Sequence, residues 1–409
     1  TGTDFDENFI NADLEVTAQL GMVSSNATLQ IELIDKEGQT VAEESMDFSG
    51  RENGADELSA LLEEAGRLLE ENKENTFPEG EEGGNGQYPQ QAYDALKEAY
   101  DQAAQALGQL QSQLSDAKKV VIPIKKPDQW DAEHPNLYTL KTSLLVDGKL
   151  QQVNTEKIGF REIHYGGRDG SDVNKVYVNG KEVKLRGTCR HDVSYDLGRS
   201  ISKEKAWEEI RAYKEANINF IRTSHYPASE EILDACDELG IYVEQENAAC
   251  FQGANDNAIQ CPPEDFVNEF TEMIERDRNR ASILIWSLGN ESGFEATTAF
   301  RTEFDYVKSV DTSRPVIFSY PYTVSTSPQP YDIYSQHYAG VTSSLGSADI
   351  PVLHDEFAHV SCYNVSDLQR DINVRNFWGE SIKMGWENIF TTDGALGCAL
   401  WGGIDDVFY

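Results

Sequence analysis

Eight apolar segments between residues 183 and 401 constrain this chain more than any other feature. They lie at 183–191, 219–226, 241–247, 282–289, 315–319, 332–338, 351–357 and 394–401, most of them followed by a stretch with helical spacing. Short apolar runs alternating with amphipathic helices predict βα units on a parallel sheet, because parallel neighbours need a long crossover and that crossover is usually a helix. Eight such units predict a (β/α)8 barrel. One helix is well marked, over 203–216, with Ser202 as its N-cap. After the eighth segment only eight residues remain, so the barrel is expected to lack its last helix. The chain reads as cut at both ends.

The first part of the sequence has a different period. Leu14, Val16, Ala18 and Leu20 alternate along one face, as do Leu29, Ile31 and Leu33, with a turn at 35–38. The alternation resumes over 120–124 and again at Tyr138, Leu140, Thr142, Leu144 and Val146, closed by Asp147 and Gly148. Short strands with turns between them predict a β-sandwich. Residues 51–117 interrupt it. Leu58, Leu61, Leu62, Ala65, Leu68 and Leu69 follow helical spacing, and so do Leu96, Tyr100, Ala103, Leu107, Leu110 and Leu114. Between them lies the loop PEGEEGGNGQYP, and the whole stretch has 15 acidic and 4 basic residues. The division expected is a sandwich at 1–50 and 118–165, an inserted helical module at 51–117 and a barrel at 166–409.

Charge excludes some partners. With 71 Asp and Glu against 34 Lys and Arg, the formal net charge is -37, whereas a phosphate backbone is bound by clustered cations. Nucleic acid and anionic membrane are therefore unexpected partners. No run approaches the ~18 apolar residues of a membrane span, and the opening TGTDFDENF is no charged-then-apolar leader. No glycine-rich phosphate motif follows any strand. Cys189, Cys236, Cys250, Cys261, Cys362 and Cys398 include no Cys-x-x-Cys pair. Ordinary buried thiols are expected, with a Cys250–Cys261 bridge as the alternative.

In a barrel the chemistry gathers at the C-terminal ends of the strands. The fourth segment delivers Asn290 and Glu291; the seventh delivers Glu356, with His359 just beyond. Two carboxylates facing one mouth suit glycoside hydrolysis, one protonating the leaving oxygen while the other attacks the anomeric carbon or activates water. Other segments end in Arg190-His191-Asp192, Arg222 to Tyr226, Glu246-Asn247, His337-Tyr338 and Trp401. Such a mouth has donors for sugar hydroxyls and an aromatic ring for a sugar face. An Arg beside a nucleophilic Glu keeps it ionised, and the acid/base Glu is expected to have a raised pKa.

These segments resemble glycoside hydrolase family 2. The sandwich ends with Trp130, Pro135, Leu137 and Tyr138, followed by IGFRE at 158–162; VNGKEVKLRGTCRHD, IRTSHYP, SLGNES and VLHDEFAH come after in order. The resemblance implies an immunoglobulin-like sandwich before a TIM barrel, and a retaining mechanism. It implies Glu291 as general acid/base and Glu356 as nucleophile. Asn290 would bind the hydroxyl beside the anomeric carbon, and Tyr338 and Arg222 would hold the nucleophile. His191, His225 and His359 would bind the sugar, with Trp401 as its platform. Residues 191–199 and Glu356-Phe357-Ala358-His359 look like the β-galactosidase branch, so the implied substrate is a terminal β-D-galactoside. A β-glucuronidase or other family 2 activity is the alternative, and a non-catalytic glycan-binding protein is the reading from a different class. The helical stretch resembles FIVAR-type modules of bacterial carbohydrate enzymes. That likeness implies a secreted or surface-held protein and a spacer with surface or glycan contacts; an inert acidic insertion in a cytoplasmic protein is the other reading.

The run 246–253 departs from the family. Where galactosidases place a carboxylate and an imidazole for magnesium, this chain has Cys250 and Gln252. A hard cation takes oxygen ligands, so no metal cofactor is expected. Cys189 replaces the usual Asn, and His337 stands where galactosidases have Met.

Overall fold

A computed structural model describes residues 2–6, 10–21, 26–48, 55–77, 88–111, 117–167, 172–194, 196–253, 262–293, 299–322, 324, 327–339, 344–358 and 374–403. The chain opens with β1 (Gly2–Phe5), β2 (Asn11–Ala18), β3 (Ala27–Ile34) and β4 (Thr40–Phe48). Two helices follow, α1 (Ala55–Asn72) and α2 (Gln90–Gln111), separated by the paired two-residue strands β5 (Thr76–Phe77) and β6 (Tyr88–Pro89). The strands resume with β7 (Lys118–Lys125), β8 (Tyr138–Val146) and β9 (Lys149–Ile158).

These strands form two antiparallel sheets, in the orders β1-β2-β7 and β4-β3-β8-β9. Their inward positions share one core, in which Leu14, Val16, Leu29, Ile31, Leu33, Ile122 and Leu140 are buried. The period-2 pattern thus reports the buried face of each strand. Chemistry explains the turns as well. Asp35 Oδ1 accepts the N–H groups of Glu37 (3.0 Å) and Gln39 (2.8 Å) at the β3–β4 connection. Asp147 and Gly148, both at positive φ, make the two-residue β8–β9 hairpin that such residues favour.

The leucine-rich stretch behaves differently from its pattern. On α1, Leu62 and Leu69 are buried, but Leu61 and Leu68 are exposed, and so is Leu96 on α2. Leu62 packs against Tyr100, Ala103 and Ala104. Two antiparallel-type neighbours offer each other only a narrow seam, so a wider apolar stripe is left in water.

The second half begins with a small antiparallel sheet, β10 (Ile163–Tyr165), β11 (Val176–Val178) and β12 (Lys181–Glu182). Then come β13 (Leu185–Arg190), α3 (Lys203–Glu215), β14 (Phe220–Thr223), α4 (Glu230–Leu239), β15 (Tyr242–Glu246), α5 (Pro263–Asp277) and β16 (Ile283–Asn290). The series ends with α6 (Ala299–Val310), β17 (Val316–Ser319), β18 (Tyr334–His337), β19 (Val352–Phe357), α7 (Val374–Thr391) and β20 (Ala395–Leu400). Each of the eight strands lies inside or within one residue of its predicted segment. They are parallel neighbours in the order β17-β16-β15-β14-β13-β20-β19-β18. The Ile317–Ile333 bridge brings the two outer strands together and nearly closes a TIM-type barrel. Ser202 Oγ accepts the Lys205 N–H at the start of α3, as predicted.

Residues at the end of the sandwich serve as a dock for the barrel. Trp130 is fully buried and its indole N–H donates to Asp237 O at 2.8 Å. Arg161 Nη2 donates to Arg280 O (3.1 Å) and Ile283 O (2.9 Å), and Nε to Ala281 O. A Cβ on Gly159 would lie 2.8 Å from both Trp130 Cβ and Ala281 Cβ, so a glycine lets the two layers meet. No helix among the described residues is long and apolar enough to cross a membrane.

Candidate active site

The C-terminal ends of the barrel strands converge on one polar cluster. Arg222, near the end of β14, is fully buried and divides its guanidinium three ways. Nε donates to Glu246 Oε2 at 2.7 Å, Nη1 to Glu356 Oε1 at 2.9 Å and Nη2 to Asn290 Oδ1 at 2.8 Å. Glu246, closing β15, also meets His225 Nδ1 at 2.9 Å. Tyr338, one residue past β18, donates its hydroxyl to Glu356 Oε2 at 2.7 Å. Glu356 on β19 is therefore fixed from two sides by donors to its two oxygens.

Glu291 follows directly on β16 with φ +39, a backbone conformation unusual for a side-chain-bearing residue and common where function demands it. Its N–H donates to Ser319 O at 2.9 Å, which turns the side chain over the mouth. Carboxylate oxygens of Glu291 and Glu356 lie within 4.8 Å of each other and of a His337 ring nitrogen. On the far side, the Trp401 ring stacks on His225 (centroids 5.1 Å, planes 22° apart) and meets the edge of His191 at 5.4 Å. The described residues thus bring together Glu291, Glu356, Asn290, Arg222, Tyr338, His191, His225 and Trp401. His359 lies outside the described residues, as do Cys261 and Cys362, while Cys250 is a free thiol.

The charges sort themselves by partner. Burial opposes the Glu246 carboxylate, but Arg222 and His225 outweigh it and hold its pKa below the ordinary value. Burial and the bond to Glu356 push the Tyr338 phenol up, so it acts as a neutral donor. Neither buried oxygen of Glu244 has a hydrogen-bond partner, although Oε1 lies 3.6 Å from Arg222 Nε, and burial beside Asp355 raises its pKa strongly.

One expectation fails here. Glu291 was expected to have a raised pKa, and it is lowered instead, first by its 2.8 Å hydrogen bond to His337 Nδ1 and against some burial. The His337 imidazole loses stability as a cation through burial, yet Asp355, Glu291 and Glu356 outweigh that and push its pKa up to about 9. In the sequence His337 is marked as a strand-end residue and as a departure from a Met, Asp355 only as part of the VLHDEFAH motif, and Ser319 and Ser335 not at all. The available signal was position: His337 pairs with Glu356 across β18 and β19, so both end their strands at one level.

The magnesium position does not suit the ion. The Cys250 thiol is pushed up to about 11 by burial and is therefore uncharged at neutral pH, and the Gln252 amide donates to Cys250 O at 3.1 Å. A protonated thiol and an engaged amide are poor ligands for a hard cation. In the Glu291–His337–Glu356 group a charged imidazole already joins the two carboxylates, which makes it an acid–base cluster.

Residues 171–357 match the model described as glycosyl hydrolases family 2, TIM barrel domain, and residues 77–161 match the one described as glycosyl hydrolases family 2. Together they cover more than half of the chain. The chain belongs to glycosyl hydrolase family 2. A β-galactosidase of Lactobacillus delbrueckii subsp. bulgaricus is 34% identical over 227 residues, 52% of this chain and 21% of that protein. A protein of Formosa agariphila provisionally named a β-glucuronidase is 39% identical over 168 residues, 41% of this chain and 19% of its own length. The matched stretches thus span about a fifth of these relatives. A solved family 2 structure from Bacteroides cellulosilyticus shares the fold, with a TM-score of 0.69 and 20% identity over 98% of this chain and 42% of that one.

Proposed function

We propose that this chain is the sugar-cleaving part of a retaining exo-glycosidase that acts on terminal non-reducing β-D-galactosides. The observation that carries the reading is the carboxylate pair: oxygens of Glu291 and Glu356 within 4.8 Å suit the ~5 Å spacing of retaining enzymes and leave no room for the water that inverting enzymes need between them. Glu356, held in place by donors from Arg222 and Tyr338, attacks the anomeric carbon. Glu291 protonates the leaving oxygen, and then takes a proton from the water that releases the sugar. Asn290, fixed by Arg222, faces the neighbouring hydroxyl, and Trp401 with His191 and His225 forms the wall against which the ring lies; His359 is proposed for the same wall.

The galactoside preference rests on the 191–199 run and on likeness to β-galactosidases. The β-glucuronidase-named relative supports glucuronides as the second reading. The division into sandwich (1–50 and 118–165), helical module (51–117) and barrel (166–409) is proposed on the same footing. So are the immunoglobulin-like and FIVAR-like assignments, and a secreted or surface-held place for the protein. Hydrolysis of nitrophenyl β-D-galactoside is compared with that of the β-D-glucuronide. Faster cleavage of the galactoside supports the proposal; preference for the glucuronide favours the second reading, and cleavage of no nitrophenyl glycoside removes the activity.

A further inference from the structure

His337 is an enclosed charged group in the mouth that the scheme above leaves without a task. It is 8% exposed and pinned from every side. Nδ1 lies 2.8 Å from Glu291 Oε1 and 3.4 Å from Glu356 Oε2. Nε2 lies 3.0 Å from Ser319 Oγ and 3.6 Å from Asp355 Oδ1. Its ring stacks on Tyr320, with centroids 4.8 Å apart and planes at 15°. Asp355 is itself fixed by the Ser335 hydroxyl at 2.5 Å. Other ionisable groups facing this corner are Arg222 and Tyr338, which each place a donor on Glu356, Tyr322, whose hydroxyl reaches Glu291 Oε2 at 3.5 Å, and Glu244, buried beside Asp355. One imidazole thus faces three carboxylates, and of these the guanidinium of Arg222 makes a side-chain hydrogen bond to Glu356.

We propose that His337 is the proton-holding and positioning partner of Glu291, so that the proton for the leaving oxygen rests on a Glu291–His337 pair and not on an isolated glutamic acid. The inference rests on the assignment of Glu291 as the acid/base. In the resting site Nδ1–H donates to Glu291. As substrate fills the mouth, that proton crosses to the Glu291 carboxylate and leaves a neutral imidazole whose Nε2–H still faces Ser319 and Asp355. Glu291 then protonates the glycosidic oxygen while the bond to the leaving group breaks and the bond from Glu356 forms. The nucleophile's negative charge is consumed in that step, so the imidazole loses one of the anions that held its proton. When water releases the sugar, its proton goes to Glu291 and back to Nδ1, and the pair is restored. The geometry accounts for a lowered Glu291 pKa in an enzyme that needs a proton there: the proton is stored 2.8 Å away.

Two measurements test this. The first is an NMR titration of the imidazole nitrogens, with His337 assigned by loss of its signals in His337→Gln. It needs no turnover. The wild-type ring is expected to keep its proton beyond neutrality, titrating near about 9, and to fall by about one unit or more in Glu291→Gln. A His337 neutral at pH 7, or one unmoved by Glu291→Gln, overturns the proposal. The second is the pH profile of kcat/KM for the nitrophenyl glycoside. His337→Gln is expected to lower kcat about tenfold to a hundredfold with little change in KM, and to move the basic limb toward lower pH by about one unit or more. His337→Asn serves if the first variant folds poorly. A structural role alone would leave the basic limb in place, and that result overturns the proposal. A His337 that keeps its proton in a chain cleaving no glycoside counts against the proposed function and leaves the Glu291–His337 pair standing.

Discussion

Arg222 donates to Glu356 at 2.9 Å and to Asn290 at 2.8 Å, so one guanidinium ties the proposed nucleophile to the Asn–Glu pair that carries the proposed acid/base. Its third bond, to Glu246, anchors the set to β15. All of this is shut off from water, where an anion without its partner is costly. Arg222→Ala is expected to lower unfolding stability by about 3 kcal/mol or more, measured by denaturant titration. Arg222→Lys keeps the charge but cannot reach three acceptors at once, and it should recover only part of the loss. Wild-type stability in Arg222→Ala would show that the network carries no weight.

Stability should also report the His337 proton. Its folded pKa is raised to about 9 above an ordinary value near 6.5. Protonation therefore stabilises the fold fully below about pH 6.5, and the contribution is lost as pH rises through about 9. Between those limits the wild type should lose roughly 3 kcal/mol that His337→Gln does not lose. Parallel pH–stability curves for the two proteins would contradict the charged imidazole.

Much of this was legible in the sequence, for physical reasons. Most barrel strands are buried on both faces and read as largely apolar runs, which placed strands such as β16 and β19; β18, with Tyr334 exposed, is more polar and was placed by its position in the series. Strand ends then pointed to Glu291, Glu356 and Arg222 with no knowledge of distances. What could not be read is what depends on sub-ångström geometry. Whether Glu291 gains or loses its proton turns on a 2.8 Å contact from a residue 46 positions away. The α1 leucines misled for a related reason: spacing marks a face, but Leu61 and Leu68 stay exposed because nothing among the described residues covers them.

Metal dependence follows from Cys250 and Gln252. With an uncharged thiol and an engaged amide at the family's magnesium position, EDTA should change the hydrolysis rate by less than about twofold. Loss of most activity on chelation, restored by magnesium, would show that other residues supply the ligands.

The sandwich is tied to the barrel through Trp130, which is buried against Tyr242 with ring centroids 5.7 Å apart. Trp130→Ala leaves a large cavity and an unpaired Asp237 carbonyl, and should cost about 3–5 kcal/mol. Differential scanning calorimetry checks it; an unchanged melting temperature would mean that the two layers are held together elsewhere.

The most direct test of the central claim is to trap the covalent intermediate. A 2-deoxy-2-fluoro-β-D-galactoside with a good leaving group slows release of the sugar more than its attachment, and the protein is then digested and mapped by mass spectrometry. The account predicts one fluorosugar per chain, on the peptide containing Glu356, and no labelling of Glu356→Gln, whose turnover should fall about a thousandfold or more, some 4 kcal/mol of barrel-site transition-state stabilisation. A label on Glu291, or undiminished turnover in Glu356→Gln, would contradict it.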